Sequence, residues 1–105
     1  GNIGLGNIDY VNRHCMLNVF IADKTYRHKG LGYDSVIAAL DFAFLRLNMN
    51  KVWLQTSERY TGAIALYSKI GFKQEGVLRQ HYFSNGKYED KIIYSILSGE
   101  YRGRV

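Results

Sequence analysis

A short basic segment that contains two glycines is the part of the chain best suited to chemistry with an anion. It comprises Arg27, His28, Lys29, Gly30, Leu31 and Gly32. Glycine lets a backbone approach a ligand closely. The first N–H groups of a following helix are unpaired and lie at the positive end of the helix dipole. With three basic side chains, this pattern predicts a site for a pyrophosphate or a similar anion, and the alternative is a tight turn with ordinary surface charge.

Other residue types exclude several further chemistries. The single Cys15 excludes an intrachain disulfide and a zinc site built from several cysteines. His14, His28 and His81 show no metal-ligand spacing, so we expect no bound metal. The Gly-x-Ser-x-Gly motif is absent from the sequence, which argues against an α/β-hydrolase.

Length and composition indicate one basic globular domain over residues 1–105. The 105 residues suffice for one domain, and 47% of them are hydrophobic, which is enough for a core. The 14 Lys and Arg against 9 Asp and Glu give a net charge of +5, which favours an anionic partner. The basic residues are scattered without a nucleic-acid-binding motif, so we expect no nucleic acid partner.

Neither a membrane segment nor a targeting segment is recognisable in the sequence. No apolar run approaches the ~20 residues that a membrane span needs, and no signal peptide opens the chain. We therefore expect a cytoplasmic protein without a membrane partner.

The spacing of apolar and turn residues predicts a mixed α/β domain in the order β-β-α-β-α-β-β. We expect strands at 3–8, 16–21, 51–56, 72–83 and 88–97, and helices whose apolar stripes run over 36–47 and 63–70. Residues 9–15 supply a turn. Gly71 is expected just past the end of the second helix, and Asn85-Gly86 predicts a two-residue hairpin turn. The tail from Gly99 is expected to fray.

Topology rules extend this order to a sheet. The unit over residues 16–56 should place two strands parallel through a right-handed crossover. The final hairpin adds an antiparallel pair. We therefore expect a mixed sheet with helices covering its faces.

Three ordered motifs resemble the GCN5-related N-acetyltransferase (GNAT) superfamily. Residues 27–32 have the form R-x-x-G-x-G, which is similar to the acetyl-CoA-binding pattern Q/R-x-x-G-x-G/A. Residues 63–72, AIALYSKIGF, look like the A-I-x-L-Y-x-K-x-G-F helix of that superfamily. Residues 75–79, EGVLR, and 85–90, NGKYED, look like the ending of the branch that contains ribosomal-protein alanine and spermidine N-acetyltransferases. The resemblance covers residues 3–97.

The resemblance implies a GNAT-like fold and direct transfer of the acetyl group of acetyl-CoA to a neutral primary amine. The amine would belong to a protein N-terminus, a polyamine or an amino sugar. N–H groups of residues 28–32 would bind the pyrophosphate of coenzyme A, and the strand backbone at Val19, Phe20 and Ile21 would pair with the pantetheine arm. Tyr67 matches the family tyrosine that protonates the departing thiolate, a role that suits a phenol with a pKa of ~10.

The general base is where the sequence departs from the family. Gln55 stands where some relatives have Glu and cannot act as a base at neutral pH, and Tyr60 stands where Asn is common. Glu58 is either the base or a carboxylate favoured by the helix dipole. Glu89 and Asp90 either bind a cationic amine or are solvated charges of the hairpin. The alternative function is therefore a coenzyme A-binding module without catalysis.

Members of this superfamily carry a strand, two helices and a further strand before the first strand pair found here. The chain is therefore expected to be part of a longer protein, a short natural variant or a subunit completed by a partner. Without those helices the first strand would expose an edge and an apolar face. We expect a homo-oligomer that covers this surface.

Overall fold

The computed structural model describes residues 2–20 and 29–101, which form a five-stranded sheet and its helices. The elements are β1 (Asn2–Asp9), β2 (His14–Phe20), α1 (Lys29–Asp41), a π-helical segment (Phe42–Arg46), β3 (Lys51–Ser57), α2 (Thr61–Ile70), β4 (Lys73–Ser84), β5 (Lys87–Leu97) and α3 (Ser98–Tyr101). The predicted mixed α/β class and strand-helix order are confirmed. The π-helical segment and α3 are additions to that order.

Both long helices lie on the same face of the sheet. The strand order is β1-β2-β3-β5-β4, in which β2 and β3 are parallel and the other neighbouring pairs are antiparallel. The connections β2-α1-β3 and β3-α2-β4 therefore join parallel strands and step in the same direction across the sheet. Because such crossovers are right-handed, α1 and α2 must share a face. The expectation of helices on both faces is thus wrong for the described residues.

The core lies between the sheet and this helical layer. Cys15, Val52 and Ile96 are cross-strand neighbours, and all three are fully buried. The helical residues in the same buried cluster are Val36, Leu40, Ala43, Phe44, Ala63, Tyr67, Ile70 and Tyr101. Side chains alternate between the faces of a strand, so the intervening β3 residues Trp53 and Gln55 belong to the opposite, open face.

Asp9 closes the turn between β1 and β2. Its carboxylate accepts hydrogen bonds from the N–H groups of Asn12 at 2.8 Å and Val11 at 3.0 Å, and from the Asn12 side chain at 2.9 Å. These bonds, led by the Asn12 N–H, lower the pKa of Asp9. The turn occupies residues 10–13 and is shorter than predicted, because the strands extend further at both ends.

The two predicted backbone signals in the second half of the chain are confirmed. Gly71 has φ +121° at the end of α2, where the N–H of Phe72 donates to the carbonyl of Tyr67 at 3.0 Å. Asn85 and Gly86 have φ of 53° and 75°. Positive φ at both central residues is the requirement of the tight hairpin turn that an Asn-Gly pair favours.

The C-terminal segment is packed, contrary to the expected fraying from Gly99. α3 buries Tyr101 to 2% exposure and places its ring 5.2 Å from that of Phe44. The Tyr101 hydroxyl donates to Asp41 Oδ1. A lone aromatic residue near a chain end has no periodicity that predicts burial, which explains the error. Arg102 and Arg104 lie outside the described residues.

The exposed apolar surface differs from the expectation for β1. β1 is an edge strand, as predicted. Its Ile3 and Leu5 pack against the core. Gly4 and Gly6, which alternate with them along the strand, belong to the open face. Large exposed apolar side chains occur instead on the β4–β5 hairpin, at Val77, Leu78, Phe83 and Tyr88. Within residues 2–20 and 29–101, no helix is long and apolar enough to span a membrane.

Candidate active site

The parallel strands β2 and β3 separate toward their C-terminal ends. They are paired only between residues 14–16 and 51–53, although β2 continues to Phe20 and β3 to Ser57. Among the described residues, no strand lies between the diverging ends. Backbone N–H and C=O groups along such an edge require partners. The separation therefore creates a strand edge that an extended, amide-containing ligand can use.

A cleft of about 580 Å³ lies at this separation. Its lining residues are Leu17, Val19, Leu54, Gln55, Thr56, Ser57, Arg59, Tyr60, Tyr67, Tyr82, Phe83, Ser84 and Glu89. Leu17 and Leu54 belong to the helical face, whereas Gln55 and Ser57 belong to the open face. The cleft thus connects the two faces of the sheet, and its volume is in the range of small-ligand sites.

Four of the six residues predicted to bind an anion lie in the first turn of α1. Lys29, Gly30, Leu31 and Gly32 are helical, so they belong to the helix itself and do not precede it. The first N–H groups of a helix have no acceptor within the helix. In a strand-helix-strand unit this turn follows the C-terminal end of β2, the edge where β2 and β3 diverge. Ile21, Arg27 and His28 lie outside the described residues, and Val19 and Phe20 are the last residues of β2.

Tyr67 belongs both to the core and to the cleft. Its side chain is 4% exposed, and its ring packs 5.6 Å from that of Phe72. It also lines the cleft beside the diverging strands. Tyr67 is thus a core residue of α2 that also forms part of the cleft wall.

Tyr60 and Tyr82 add two further phenols to the cleft. Burial raises the pKa of Tyr82, and the nearby Tyr60 raises it further. The Tyr82 phenol therefore stays protonated at neutral pH and can donate a hydrogen bond. The guanidinium of Arg59 lies 5.1 Å from the ring centre of Tyr60.

Glu89 is the one carboxylate among the described residues that line the cleft. Its side chain is 18% exposed. Ser57 Oγ donates to Glu89 Oε1 at 2.9 Å, and Arg59 Nε lies 3.4 Å from the same oxygen. The carboxylate is thus fixed between a hydroxyl and a guanidinium. Histidine and lysine are absent from the described lining residues.

Glu58 and Asp90 are not among these lining residues. Asp90 Oδ1 accepts the N–H of Gln80 at 2.8 Å, and Glu58 Oε1 accepts the N–H of Asp90 at 3.3 Å. Gln80 has φ 51° and lies in a bulge between Leu78 and Tyr82 of β4. Both carboxylates therefore bind backbone at the bulge.

Sequence reasoning did not single out Ser57, Arg59 or Tyr82. Ser57 and Glu89 are 32 residues apart and meet only because β3 and β5 are neighbours. The bulge in β4 shifts the register so that Tyr82 lies opposite Glu89. No turn residue or alternation marks this bulge, so no sequence signal was available for it.

Comparisons with known proteins agree with this geometry. Residues 1–93 match the acetyltransferase (GNAT) domain family. The chain is 33% identical over 104 residues to the spermidine N(1)-acetyltransferase of Vibrio cholerae serotype O1, and this alignment covers 99% of the chain and 60% of that enzyme. It is 32% identical over 103 residues to a putative ribosomal N-acetyltransferase of Bacillus subtilis (strain 168), with 98% and 56% covered.

Solved structures extend the similarity to three dimensions. The crystal structure of spermidine N-acetyltransferase from Vibrio cholerae in complex with CoA and spermine has a TM-score of 0.85 at 32% identity. The match covers 95% of this chain and 59% of that one. A dodecameric structure of the same enzyme has a TM-score of 0.86 at 32% identity and covers 97% and 59%.

The chain spans about three-fifths of the length of the Vibrio cholerae enzyme and slightly less of the Bacillus subtilis protein. The matched part includes the diverging strands, the first turn of α1 and the helix that carries Tyr67. By the family match over residues 1–93, the chain belongs to the GNAT acetyltransferases.

Proposed function

We propose that this chain binds acetyl-CoA and transfers its acetyl group to a primary amine. The observation that supports this best is the separation of β2 and β3, which are paired only over three residues although both strands continue. The strand edge can form hydrogen bonds with the amide groups of the pantetheine arm of coenzyme A. The N–H groups of the first helical turn can bind its pyrophosphate. When bound, acetyl-CoA supplies the acetyl group as a thioester.

Two segments would hold this cofactor. The backbone of β2 at Val19 and Phe20, continuing to Ile21, would pair with the pantetheine arm. The N–H groups of Lys29–Gly32 would bind the pyrophosphate, with Arg27 and His28 contributing positive charge. The net charge of +5 is consistent with an anionic cofactor.

Tyr67 would act as the general acid. Its ring packs against Phe72 and it lines the cleft, so its hydroxyl would serve a thioester bound there. A phenolic proton passed to the departing thiolate prevents that thiolate from attacking the new amide.

The acceptor would be an amine that enters from the open face, where Gln55, Ser57 and Glu89 line the cleft. Glu89 would attract the ammonium form, and the aromatic ring of Tyr82 opposite it would add a cation–π contact. A polyamine, a protein N-terminus and an amino sugar all carry such a group. Asp90 and Glu58 would support this arrangement from the bulge, through their bonds to backbone.

The protein would also self-associate. The hairpin residues Val77, Leu78, Phe83 and Tyr88 are exposed, and they lie on or beside the edge strand β4. Exposed apolar patches and open strand edges are typical of association surfaces. Sedimentation equilibrium at tens of micromolar is the test, and a monomer at these concentrations would contradict self-association.

Calorimetry with acetyl-CoA and an assay of thiol release over a panel of amines test the main proposal. We expect binding, turnover with at least one amine, and loss of turnover in Tyr67→Phe with binding retained. Tyr10→Phe, an exposed phenol in the β1–β2 turn, is the matched control. No binding at millimolar acetyl-CoA would refute the proposal, and binding without turnover for any amine would favour a non-catalytic coenzyme A-binding module.

A further inference from the structure

Direct acetyl transfer requires a group that removes a proton from the acceptor. An alkyl amine with a pKa near that of lysine is neutral in roughly one molecule in 10³ at pH 7. An ammonium has no lone pair and cannot attack a carbonyl carbon. Gln55, which stands where some relatives have a glutamate, accepts no proton at neutral pH. The proton acceptor must therefore be found elsewhere in the cleft.

We infer that Glu89 is this acceptor and that it takes the proton through the hydroxyl of Ser57. The inference rests on the proposed acetyltransferase function. Arg59, Tyr60, Tyr67 and Tyr82 are the other charged or titratable side chains among the described lining residues. Guanidinium and phenol groups are donors at neutral pH, so Glu89 is the one described lining side chain with a suitable basic form.

Ser57 has the geometry of a proton relay. Its Oγ–H already donates to Glu89 Oε1 at 2.9 Å, and the residue is 5% exposed. The N–H of Arg59 reaches the same Oγ at 3.5 Å, the outer limit of a hydrogen bond. A hydroxyl has two acceptor lone pairs beside its one donor. Ser57 can thus accept a hydrogen bond from an ammonium while it donates to the carboxylate.

Arg59 is a positioning residue in this arrangement. Its Nε lies 3.4 Å from Glu89 Oε1, the oxygen that also receives the Ser57 bond. Arg59 Nη2 also donates a hydrogen bond of 3.3 Å to the phenol oxygen of Tyr60. The guanidinium thus links the carboxylate to the start of α2 and holds Oε1 toward Ser57.

The proton transfer conserves atoms and charge. One N–H bond of the acceptor ammonium breaks, and its electron pair stays on nitrogen as the attacking lone pair. The proton bonds to Ser57 Oγ as the Ser57 proton moves to Glu89 Oε1. Glu89 becomes a neutral acid and later releases this proton to water. After attack the nitrogen loses its second proton, and this proton restores the Tyr67 phenol, which has given its own proton to the departing sulfur.

Glu89→Gln is the direct test, because it keeps the size of the side chain and one oxygen that can accept from Ser57, and it removes the basicity. We expect kcat/KM for an alkyl diamine at pH 7 to fall by about 10²-fold or more, the usual contribution of a general base. The defect should shrink as pH rises toward the pKa of the amine. It should also be smaller for a peptide α-amine, whose pKa is ~8.

Ser57→Ala separates proton relay from amine binding. With coenzyme A present, calorimetry should give an acceptor Kd close to that of the wild type, whereas kcat falls by about 10²-fold, the lower end of a proton-transfer effect. An unchanged kcat in both Ser57→Ala and Glu89→Gln would overturn the inference. A rise in Kd with kcat retained would also overturn it, since the pair would then only bind the amine.

Glu75→Gln is the matched control, because Glu75 is another ion-paired glutamate and is not among the residues that line the cleft. It should retain wild-type kcat. Glu58→Gln tests the competing base, and a loss in this variant larger than that in Glu89→Gln would overturn the inference. Acetyl-CoA binding is measured for each variant, so that failure of the proposed function in the wild type is distinguished from failure of the relay. If Glu89→Gln does not bind acetyl-CoA, Ser57→Ala and the pH dependence of the wild type decide the outcome.

Discussion

Glu58 and Asp90 are joined by a reciprocal pair of hydrogen bonds. The N–H of Glu58 donates to the carbonyl of Asp90 at 3.2 Å, and the N–H of Asp90 donates to Glu58 Oε1 at 3.3 Å. These bonds extend the contact between β3 and β5 by one residue beyond the pairing of Ser57 with Lys91. They lie beside the β4 bulge that places Tyr82 opposite Glu89, and Asp90 also accepts the N–H of Gln80 within that bulge.

Asp90→Ala should destabilise the protein by about 1–2 kcal/mol, because the N–H of Gln80 then loses its carboxylate acceptor. The midpoint of urea unfolding measures this change. Lys87→Ala, at an exposed position of the same hairpin, should change the free energy of unfolding by less than about 0.5 kcal/mol. Equal effects of the two substitutions would show that Asp90 does not hold the bulge.

Gly71→Ala should be more damaging than Gly86→Ala. Both glycines have positive φ, +121° and +75°, which costs an L-residue about 1–2 kcal/mol. At Gly86 an added Cβ meets open space, whereas at Gly71 it lies 3.4 Å from Ile96 Cδ1 in the core. Thermal unfolding ranks the two variants, and Gly86→Asn should be close to the wild type because Asn tolerates positive φ.

The local signals at these glycines were readable from the sequence, and the long-range features were not. Asn85-Gly86 and Gly71 act through their own backbone conformation, so residue type alone predicts them. The position of β5 between β3 and β4 is a consequence of pairing between distant segments. Without that position, neither the shared face of α1 and α2 nor the approach of Glu89 to Ser57 can be derived.

At the candidate site, too, local features are predicted from the sequence and long-range contacts are not. Tyr67 was identified from its motif, and the structure places it in the cleft. Nearness in sequence to the end of β3 makes Glu58 a candidate base beside its reading as a helix-dipole carboxylate, and in the structure its Oε1 accepts the backbone N–H of Asp90 in β5. Glu89 reaches the cleft because alternation along β5 directs it to the open face beside Ser57.

Tyr101 should contribute strongly to stability despite its place near the end of the chain. Tyr101→Ala removes a buried ring beside Phe44 and should cost about 3–5 kcal/mol. Tyr101→Phe keeps the ring but leaves Asp41 without this donor, and should cost about 1–2 kcal/mol. Urea unfolding gives both values, and a loss below 1 kcal/mol for Tyr101→Ala would contradict the packed terminus.

Stability should decrease in acid through two carboxylates at the surface. Hydrogen bonds from Lys51 to Glu75 and from Lys73 to Glu100 lower the pKa of each glutamate below its ordinary value of 4.5. Because the folded-state pKa is depressed, each ionised glutamate stabilises the folded protein above pH 4.5. This stabilisation is lost as pH falls through the lower folded-state pKa. Unfolding free energies measured between pH 3 and 7 should show a shallower decrease in Lys51→Met and Lys73→Met than in the wild type. A decrease that is equally steep in both variants would exclude these pairs as its source.

Cys15 should be unreactive in the folded protein. Its side chain is fully buried between β2 and the helices, and burial raises the pKa of the thiol, which reduces the thiolate available for reaction. Modification by a disulfide reagent at pH 7.5 should therefore require opening of the core and proceed at least about 10³-fold more slowly than in urea-unfolded protein, the lower end of folding equilibrium constants. Val11→Cys in a Cys15→Ala background, with the new thiol at a position that is 90% exposed, supplies the reactive control. Fast labelling of Cys15 together with retained secondary structure would mean that β2 opens without global unfolding. A strand that opens in this way would not hold the pantetheine arm in a fixed position.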